Sequence, residues 1–128
     1  MRTLLKIILA VCLSIGSFFI QADSNLISPK QASVLTTEKK AVIVDVRGDD
    51  EWNEGHIAGA IHIPLNQIND HLSELQPYKN STIITQCRSG KRSLKALELL
   101  KTAGYNQVYS MDGGIQAWSE QGLATQQK

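Results

Sequence analysis

The segment with the clearest potential for chemistry begins at Cys87 and carries three cations within five residues, Arg88, Lys91 and Arg92. A β-branched apolar run precedes it and a Leu/Ala-rich run follows, which predicts a loop between a buried strand and a helix. Backbone N–H groups and the positive end of the helix dipole converge at such a loop. Positive charge and a helix N-terminus both favour a thiolate. The pattern therefore predicts a nucleophilic cysteine in an anion-binding loop.

A buried structural cysteine is the alternative interpretation, since free cysteines are among the most buried residue types. Such a residue would gain nothing from three cationic neighbours. Gly90 also relaxes the loop backbone where packing alone would not require it. The second cysteine, Cys12, lies in an N-terminal apolar segment, which leaves Cys87 as the candidate nucleophile.

The elements that position this loop are predicted from apolar periodicity and from Gly and Pro signals. A first helix begins after Ser28, its expected N-cap, with Pro29 at the first position, and ends near residue 35. Ser93 is the expected N-cap of the helix after the loop, with a hydroxyl that could also face the sulfur, and Gly104 is the expected C-cap. Strands are predicted over residues 41–46, 60–63, 81–86 and 107–110, and further helices over residues 49–54, 65–75, 93–103 and from 115 onward.

Strands that alternate with helices indicate an α/β fold with a mainly parallel central sheet. Ligands bind such sheets beyond the carboxyl ends of the strands, which is where Cys87 falls. Asp45 and Arg47 end another buried strand and therefore lie near the same edge. We interpret this pair as an ion-pair and hydrogen-bond lock on neighbouring loops, which gives the site structural support.

The first 22 residues have the three-part pattern of a secretory signal peptide. Arg2 and Lys6 form a basic leader, an uncharged run covers residues 7–20, and Ala22 offers a small residue for cleavage. The run of 14 residues is short against the roughly 20 that span a bilayer, which favours cleavage and a periplasmic protein. Ile20 is large for its place before the cleavage site, so an inner-membrane anchor stays the alternative.

Cleavage would leave residues 23–128 as a single domain with its core at about residues 28–122. The loss of Arg2 and Lys6 changes the net charge from +1 to −1, which does not indicate a nucleic-acid surface. Cys87 would then be the only cysteine, so no internal disulfide can form. In an oxidising compartment an unpaired thiol is either exposed to unwanted oxidation or has a chemical function. The neighbouring cations indicate a chemical function.

Four segments resemble, in the same order, the signatures of single-domain rhodaneses, the thiosulfate-type sulfurtransferases. They are Asp45-Val46-Arg47 with Glu51 and Trp52, then residues 55–65, the loop from Cys87 to Ser93, and residues 112–118. The resemblance covers residues 28–122. It implies a rhodanese-like fold with helices on both faces of the sheet, and chemistry that needs no metal or organic cofactor.

The resemblance also implies a mechanism. Cys87 attacks the outer sulfur of a small anionic donor such as thiosulfate, and cyanide or a thiol then takes that sulfur from the enzyme persulfide. The residues expected to bind the donor and the persulfide are Arg88, Ser89, Gly90, Lys91, Arg92 and Ser93. Arg92 is expected to order the loop, while Arg88 and Lys91 meet the incoming anion.

Two other functions stay open. The domain could be a sulfur carrier or binding module that passes sulfur from Cys87 to a protein partner. The second alternative is a phosphatase or an arsenate reductase. The corresponding loops of those enzymes have five residues between the cysteine and the arginine. Four residues separate Cys87 from Arg92. The sequence predicts no oligomeric state.

The remaining aromatic and imidazole side chains are given structural roles. Trp52 and Trp118 are expected to pack in the core. His56 and His62 are expected to make structural hydrogen bonds, because a thiolate that has already formed needs no base.

Overall fold

A computed structural model describes residues 25–127 of the chain. The signal peptide that we predict for residues 1–22 lies outside the described residues. The strands are β1 (Leu26–Ile27), β2 (Ala41–Asp45), β3 (Ile61–His62), β4 (Thr82–Gln86) and β5 (Val108–Met111). The helices are α1 (Pro29–Thr37), α2 (Asp49–Glu54), α3 (Leu72–Leu75), α4 (Lys91–Thr102) and α5 (Gly114–Glu120). Short 3₁₀ turns cover Leu65–Gln67, Asn69–His71 and Gln76–Tyr78.

All five strands form one parallel sheet in the order β1-β5-β4-β2-β3. The longest pairing joins β2 to β4, where Ala41 is opposite Thr82 and Asp45 is opposite Gln86. Because parallel strands end at the same edge, the residues after Asp45 and Gln86 emerge side by side. The fold is the α/β architecture with a parallel sheet that the sequence predicts.

Apolar residues fill both faces of the sheet. On one face Leu75 of α3 and Ala96, Leu97 and Leu100 of α4 cluster with Val44 and Ile83. On the other face Ala32 of α1 and Trp118 of α5 cluster with Ile43 and Ile84. Neighbouring residues of one strand point to opposite faces, so the adjacent pairs Ile43-Val44 and Ile83-Ile84 supply apolar side chains to both faces. Helices therefore cover both faces, as the resemblance implies.

The predicted helix over residues 65–75 is wrong in form. The chain there makes two 3₁₀ turns and then the single turn of α3. The apolar spacing is correct, since Ile68 and Leu75 are fully buried. Asn66, Asn69 and Asp70 are poor helix formers because their side chains compete for the backbone hydrogen bonds. The sequence does not predict strand β1, because a strand of two residues is too short to show a periodic pattern.

Two adjacent glycines allow α5 to approach the Cys87 loop. Gly113 and Gly114 both have positive φ, 75° and 59°. The N–H of Ile115 donates to the Cys87 carbonyl oxygen at 2.8 Å, and the N–H of Gln116 donates to that of Arg88 at 3.1 Å. A Cβ on Gly114 would collide with the backbone of Cys87 and Arg88. The N-terminus of α5 therefore binds the outside of the loop at backbone contact distance.

Gly114→Ala should destabilise the fold more than Gly122→Ala. Gly122 also has positive φ, 77°, but a Cβ there meets nothing within 4 Å, so it isolates the cost of the backbone conformation. That cost is roughly 1–2 kcal/mol, and overpacking at Gly114 should add about 1–3 kcal/mol. Urea unfolding of the two variants measures the difference. Equal free energies of unfolding would show that the close approach is not a constraint.

Candidate active site

Cys87 follows β4 directly, and its sulfur lies at the N-terminus of α4. Gly90 is the N-cap of this helix in a left-handed conformation, with φ of 114°. The backbone N–H groups of Gly90 and Ser93 donate to Cys87 Sγ at 3.1 Å and 3.4 Å. The residue is 1% exposed. A short cradle of N–H donors thus encloses the sulfur.

Ser93 is not the N-cap of α4, contrary to the prediction from sequence. The left-handed turn at Gly90 starts the helix at Lys91, so Ser93 is its third residue and points inward. Its hydroxyl oxygen lies 2.9 Å from the Gly90 carbonyl oxygen and 2.6 Å from the hydroxyl of Ser110. It also lies 3.6 Å from Cys87 Sγ. Ser93 is therefore a buried polar neighbour of the sulfur.

The surroundings of Cys87 lower the pKa of its thiol. Burial alone would raise it, but the hydrogen bonds of the Ser93 hydroxyl and of the N–H groups of Ser93, Gly90 and Ser89 outweigh burial. These donors stabilise the thiolate directly. The sequence indicates two causes, nearby positive charge and the helix N-terminus, and the hydrogen bonds at that N-terminus are the main cause of the lowered pKa.

The three cations have different environments. Arg88 lies in the loop and is exposed, and Lys91 is exposed in the first turn of α4. Arg92, also in that turn, donates from both terminal nitrogens to the two carboxylate oxygens of Glu51, at 2.7 Å and 2.9 Å. Its guanidinium binds a carboxylate of α2 here rather than loop carbonyls.

Glu51 is a site residue that has no role in the prediction from sequence. The hydrogen bonds with Arg92 lower its pKa to about 2 against the effect of burial, and the N–H of Gly48 also donates to it, at 3.3 Å. Glu51 follows Asp49 and Asp50 in the first turn of α2, and acidic residues in such a run are usually interpreted as solvent-exposed. Its partner is 41 residues away, and no local spacing rule predicts such a pair.

Asp45 and Arg47 form a buried ion pair, 2.8 Å between Oδ2 and Nη2. The guanidinium of Arg47 also donates to the carbonyl oxygens of Glu51 and Gly55, at 3.2 Å and 2.7 Å. These contacts fix α2 and its C-terminal end against the sheet. Arg47 thus holds the backbone of Glu51, whose side chain holds Arg92.

Trp52 does not pack in the core as expected. Its ring is stacked between His56 and His62, with centroid distances of 3.6 Å and 4.6 Å. His56 Nδ1 lies 3.0 Å from the Trp52 carbonyl oxygen, and His62 Nε2 lies 2.8 Å from that of Arg47. Both imidazoles have the structural hydrogen bonds that we expect. Trp118 is buried in the core, 5% exposed.

Within residues 25–127, no group of three or more His, Cys, Asp or Glu side chains is placed to hold a metal ion. In the same range no helix has the length and apolar character needed to cross a membrane. The site consists of the thiol, its N–H donors, the buried serines and the surrounding cations. Such a set can hold an anionic sulfur group and attack through the thiolate.

Residues 28–121 match the family model of the rhodanese-like domain. The chain is 34% identical over 99 residues to an uncharacterized protein of Synechocystis, covering 77% of this chain and 54% of that protein. It is 34% identical over 97 residues to thiosulfate sulfurtransferase GlpE of Ectopseudomonas mendocina, covering 76% and 86%. A crystal structure of a rhodanese-like domain protein from Staphylococcus aureus superimposes with a TM-score of 0.71 at 33% identity, covering 80% of this chain and 97% of the other.

The chain therefore belongs to the rhodanese-like domain family, as the resemblance predicts. It shares this family with named sulfurtransferases. It spans about half the length of the Synechocystis relative, 54%.

Ser93→Ala should raise the pKa of the Cys87 thiol, because it removes a hydrogen bond that lowers this pKa. Ser89→Ala is the matched control, since Ser89 acts through its backbone N–H, which alanine keeps. The rate of alkylation by iodoacetamide, measured from mildly acidic to alkaline pH, should rise at higher pH in Ser93→Ala than in Ser89→Ala. Identical profiles would show that the hydroxyl does not stabilise the thiolate.

Proposed function

We propose that the protein is a sulfurtransferase that moves a sulfane sulfur from thiosulfate, or a similar small anionic donor, to a thiophilic acceptor. The observation that carries this proposal is the Cys87 sulfur in its cradle of N–H donors, with a lowered pKa. A thiolate is both the attacking form of cysteine and its leaving form, which two-step transfer requires. Family relatives named as sulfurtransferases support the same chemistry.

The reaction proceeds by two displacements at sulfur. The Cys87 thiolate attacks the outer sulfur of thiosulfate, a new S–S bond forms, and sulfite leaves with the electron pair of the broken S–S bond. The acceptor, cyanide in vitro or a thiol in the cell, then attacks the outer sulfur of the persulfide. Thiocyanate or a new persulfide leaves, and the Cys87 thiolate is restored.

The loop donors have a defined role in both steps. In the free protein the N–H groups of Gly90 and Ser93 stabilise the thiolate. After loading, the outer sulfur carries the negative charge, and we expect N–H groups between Arg88 and Ser93 to stabilise it. Arg88 and Lys91 are exposed at the same loop and supply the positive potential that attracts an anionic donor.

Loop length favours a sulfurtransferase over a phosphatase or an arsenate reductase. Four residues lie between Cys87 and Arg92, and one more would widen the ring of donors enough for a tetrahedral oxyanion. Arg92 is also engaged by Glu51 with both terminal nitrogens. Hydrolysis of an aryl phosphate that Cys87→Ser abolishes would support the phosphatase instead.

We also propose that the protein is exported to the periplasm after removal of residues 1–22. The basic leader, the short uncharged run and Ala22 support this location. The protein recovered from a periplasmic extract should begin at Asp23, which N-terminal sequencing tests. Full-length protein retained in the membrane fraction would indicate the inner-membrane anchor instead.

Incubation with thiosulfate should add the mass of one sulfur atom to the purified protein, and cyanide should remove it with release of thiocyanate. Cys87→Ser should abolish both, because a serine hydroxyl stays protonated near neutral pH and forms no persulfide. Intact mass and thiocyanate release measure the two steps separately. Cys87→Ala, checked by thermal unfolding, controls for loss of the fold. Failure of the native protein to gain sulfur would contradict the proposal.

A further inference from the structure

The outer face of α4 beside the Cys87 loop combines exposed cations with an exposed leucine. Lys91, Leu94 and Lys95 have the i, i+3, i+4 spacing that places side chains on one face of a helix. Leu94 is 46% exposed and is one of three exposed large apolar residues within residues 25–127. The other two, Leu26 and Val34, lie in β1 and α1. An apolar side chain is therefore exposed among charges next to the reactive loop.

The positive charge of this face is available to a partner. Within residues 25–127, Arg88, Lys91 and Lys95 make no ion pair, whereas Arg92 is bound by Glu51. Glu98, the acidic residue of α4, is seven residues or about 10 Å beyond Lys91 but only three residues beyond Lys95. The charge of the face is therefore positive at Arg88 and Lys91, while Glu98 partly offsets Lys95 at the other end.

A groove of about 770 Å³ continues from the same place along α4. The α4 side is lined by Arg92, Lys95, Glu98 and Leu99, and apolar side chains of Pro64 and Leu65 also line the groove. Arg92 to Leu99 spans about 10 Å along the helix, the length of roughly three extended residues. The groove therefore fits a short peptide segment, and Lys95 belongs to both the groove and the exposed face.

We propose that the acceptor is a cysteine in an acidic protein segment, which docks on the surface formed by Arg88, Lys91, Leu94, Lys95 and the groove. This inference rests on the proposed function. A small thiol that reaches Cys87 would contact the loop alone, and it would make no use of Leu94 or of Leu99 two turns along α4. Cys87 is 1% exposed, so a protein must present its thiol on a narrow, extended segment.

The transfer itself is a single displacement. The acceptor cysteine, as a thiolate, attacks the outer sulfur of the Cys87 persulfide. The S–S bond within the persulfide breaks, Cys87 leaves as a thiolate in its N–H cradle, and the acceptor becomes a persulfide. No oxidant or reductant is consumed.

Synthetic peptides test the proposal. The protein is first loaded from thiosulfate and freed of excess donor. It then reacts with three peptides that each carry one cysteine and one leucine flanked by Glu, Gln or Lys. The second-order rate of sulfur transfer, followed by mass, should be about tenfold higher for the Glu peptide than for the Lys peptide at low salt. The difference should vanish near 1 M salt, where the Debye length is about 3 Å.

Variants of α4 locate the effect. Lys95→Glu should lower the rate with the Glu peptide several-fold, and Leu94→Ser should lower the rates with all three peptides. Lys101→Glu, the same charge change at the far end of the helix, is the matched control and should have little effect. Loading by thiosulfate and thiocyanate release should be unchanged in all three variants.

Equal rates for the Glu and Lys peptides, or equal effects of Lys95→Glu and Lys101→Glu, would overturn the docking surface while leaving the sulfurtransferase intact. Absence of sulfur loading in the native protein would overturn the proposed function itself. Loading and transfer are measured separately, so the two failures are distinguishable.

Discussion

The site depends on where the carbonyl groups of the Cys87 loop find their partners. An N–H group can point at the sulfur only if the peptide carbonyls of the loop are satisfied on the outside, because buried backbone groups need hydrogen bonds. Helix α5 supplies two of these donors, the N–H groups of Ile115 and Gln116, and the Gln86 side-chain amide also donates to the Cys87 carbonyl oxygen. The first N–H groups of any helix lack intrahelical acceptors, so α5 satisfies its own N-terminus in the same contact. Gly114 permits this approach, since no side chain fits between the two backbones.

The N–H groups that point at the sulfur also stabilise the negative charge of the Cys87 thiolate. The cradle brings N–H donors to within 3.1–3.4 Å of Sγ, a distance at which hydrogen bonds stabilise a thiolate directly. The cations are not among the main causes of the lowered pKa. One of them, Arg92, is paired with Glu51, and Arg88 and Lys91 are exposed to solvent, which screens them. The backbone N–H groups and Ser93 therefore lower the pKa of the thiol, and in the function that we propose the exposed cations attract the anionic donor.

The sequence predicts most of the fold because its strands and long helices are strongly patterned. The runs at residues 41–46 and 81–86 are β-branched and continuous, and α4 has a clear apolar face with Gly104 beyond its end. Prediction fails where local pattern and tertiary contact disagree. Residues 65–75 keep a helical apolar spacing but contain helix-breaking polar residues. Trp52 has the large apolar side chain of a typical core residue, but its ring stacks on the imidazoles of His56 and His62 instead.

The candidate site divides in the same way. Cys87 and its cations are recognisable because they are consecutive in sequence, whereas Glu51, Ser110 and the α5 contact are brought together only by the sheet. Position within an element matters as well. The N-cap of α4 is Gly90, three residues before the predicted cap Ser93, and this difference makes Ser93 a buried neighbour of the sulfur. Residue type and spacing therefore indicate the candidate nucleophile, but they do not indicate which groups lower the pKa of its thiol.

Cys87 can be both buried and reactive, because burial hinders disulfide formation with another protein more than it hinders reaction with a small anion. A disulfide between two proteins requires their Cα atoms to come within about 7 Å, which a sulfur that is 1% exposed beneath a folded loop prevents. A small anion needs only to reach the sulfur along the direction in which the N–H groups stabilise charge. The extended acceptor segment that we propose lies between these cases, since it is narrow enough to enter and long enough to contact α4. In the proposed function, limited access to Cys87 thus allows a free thiol of lowered pKa to persist and still exchange sulfur with its donor and acceptor.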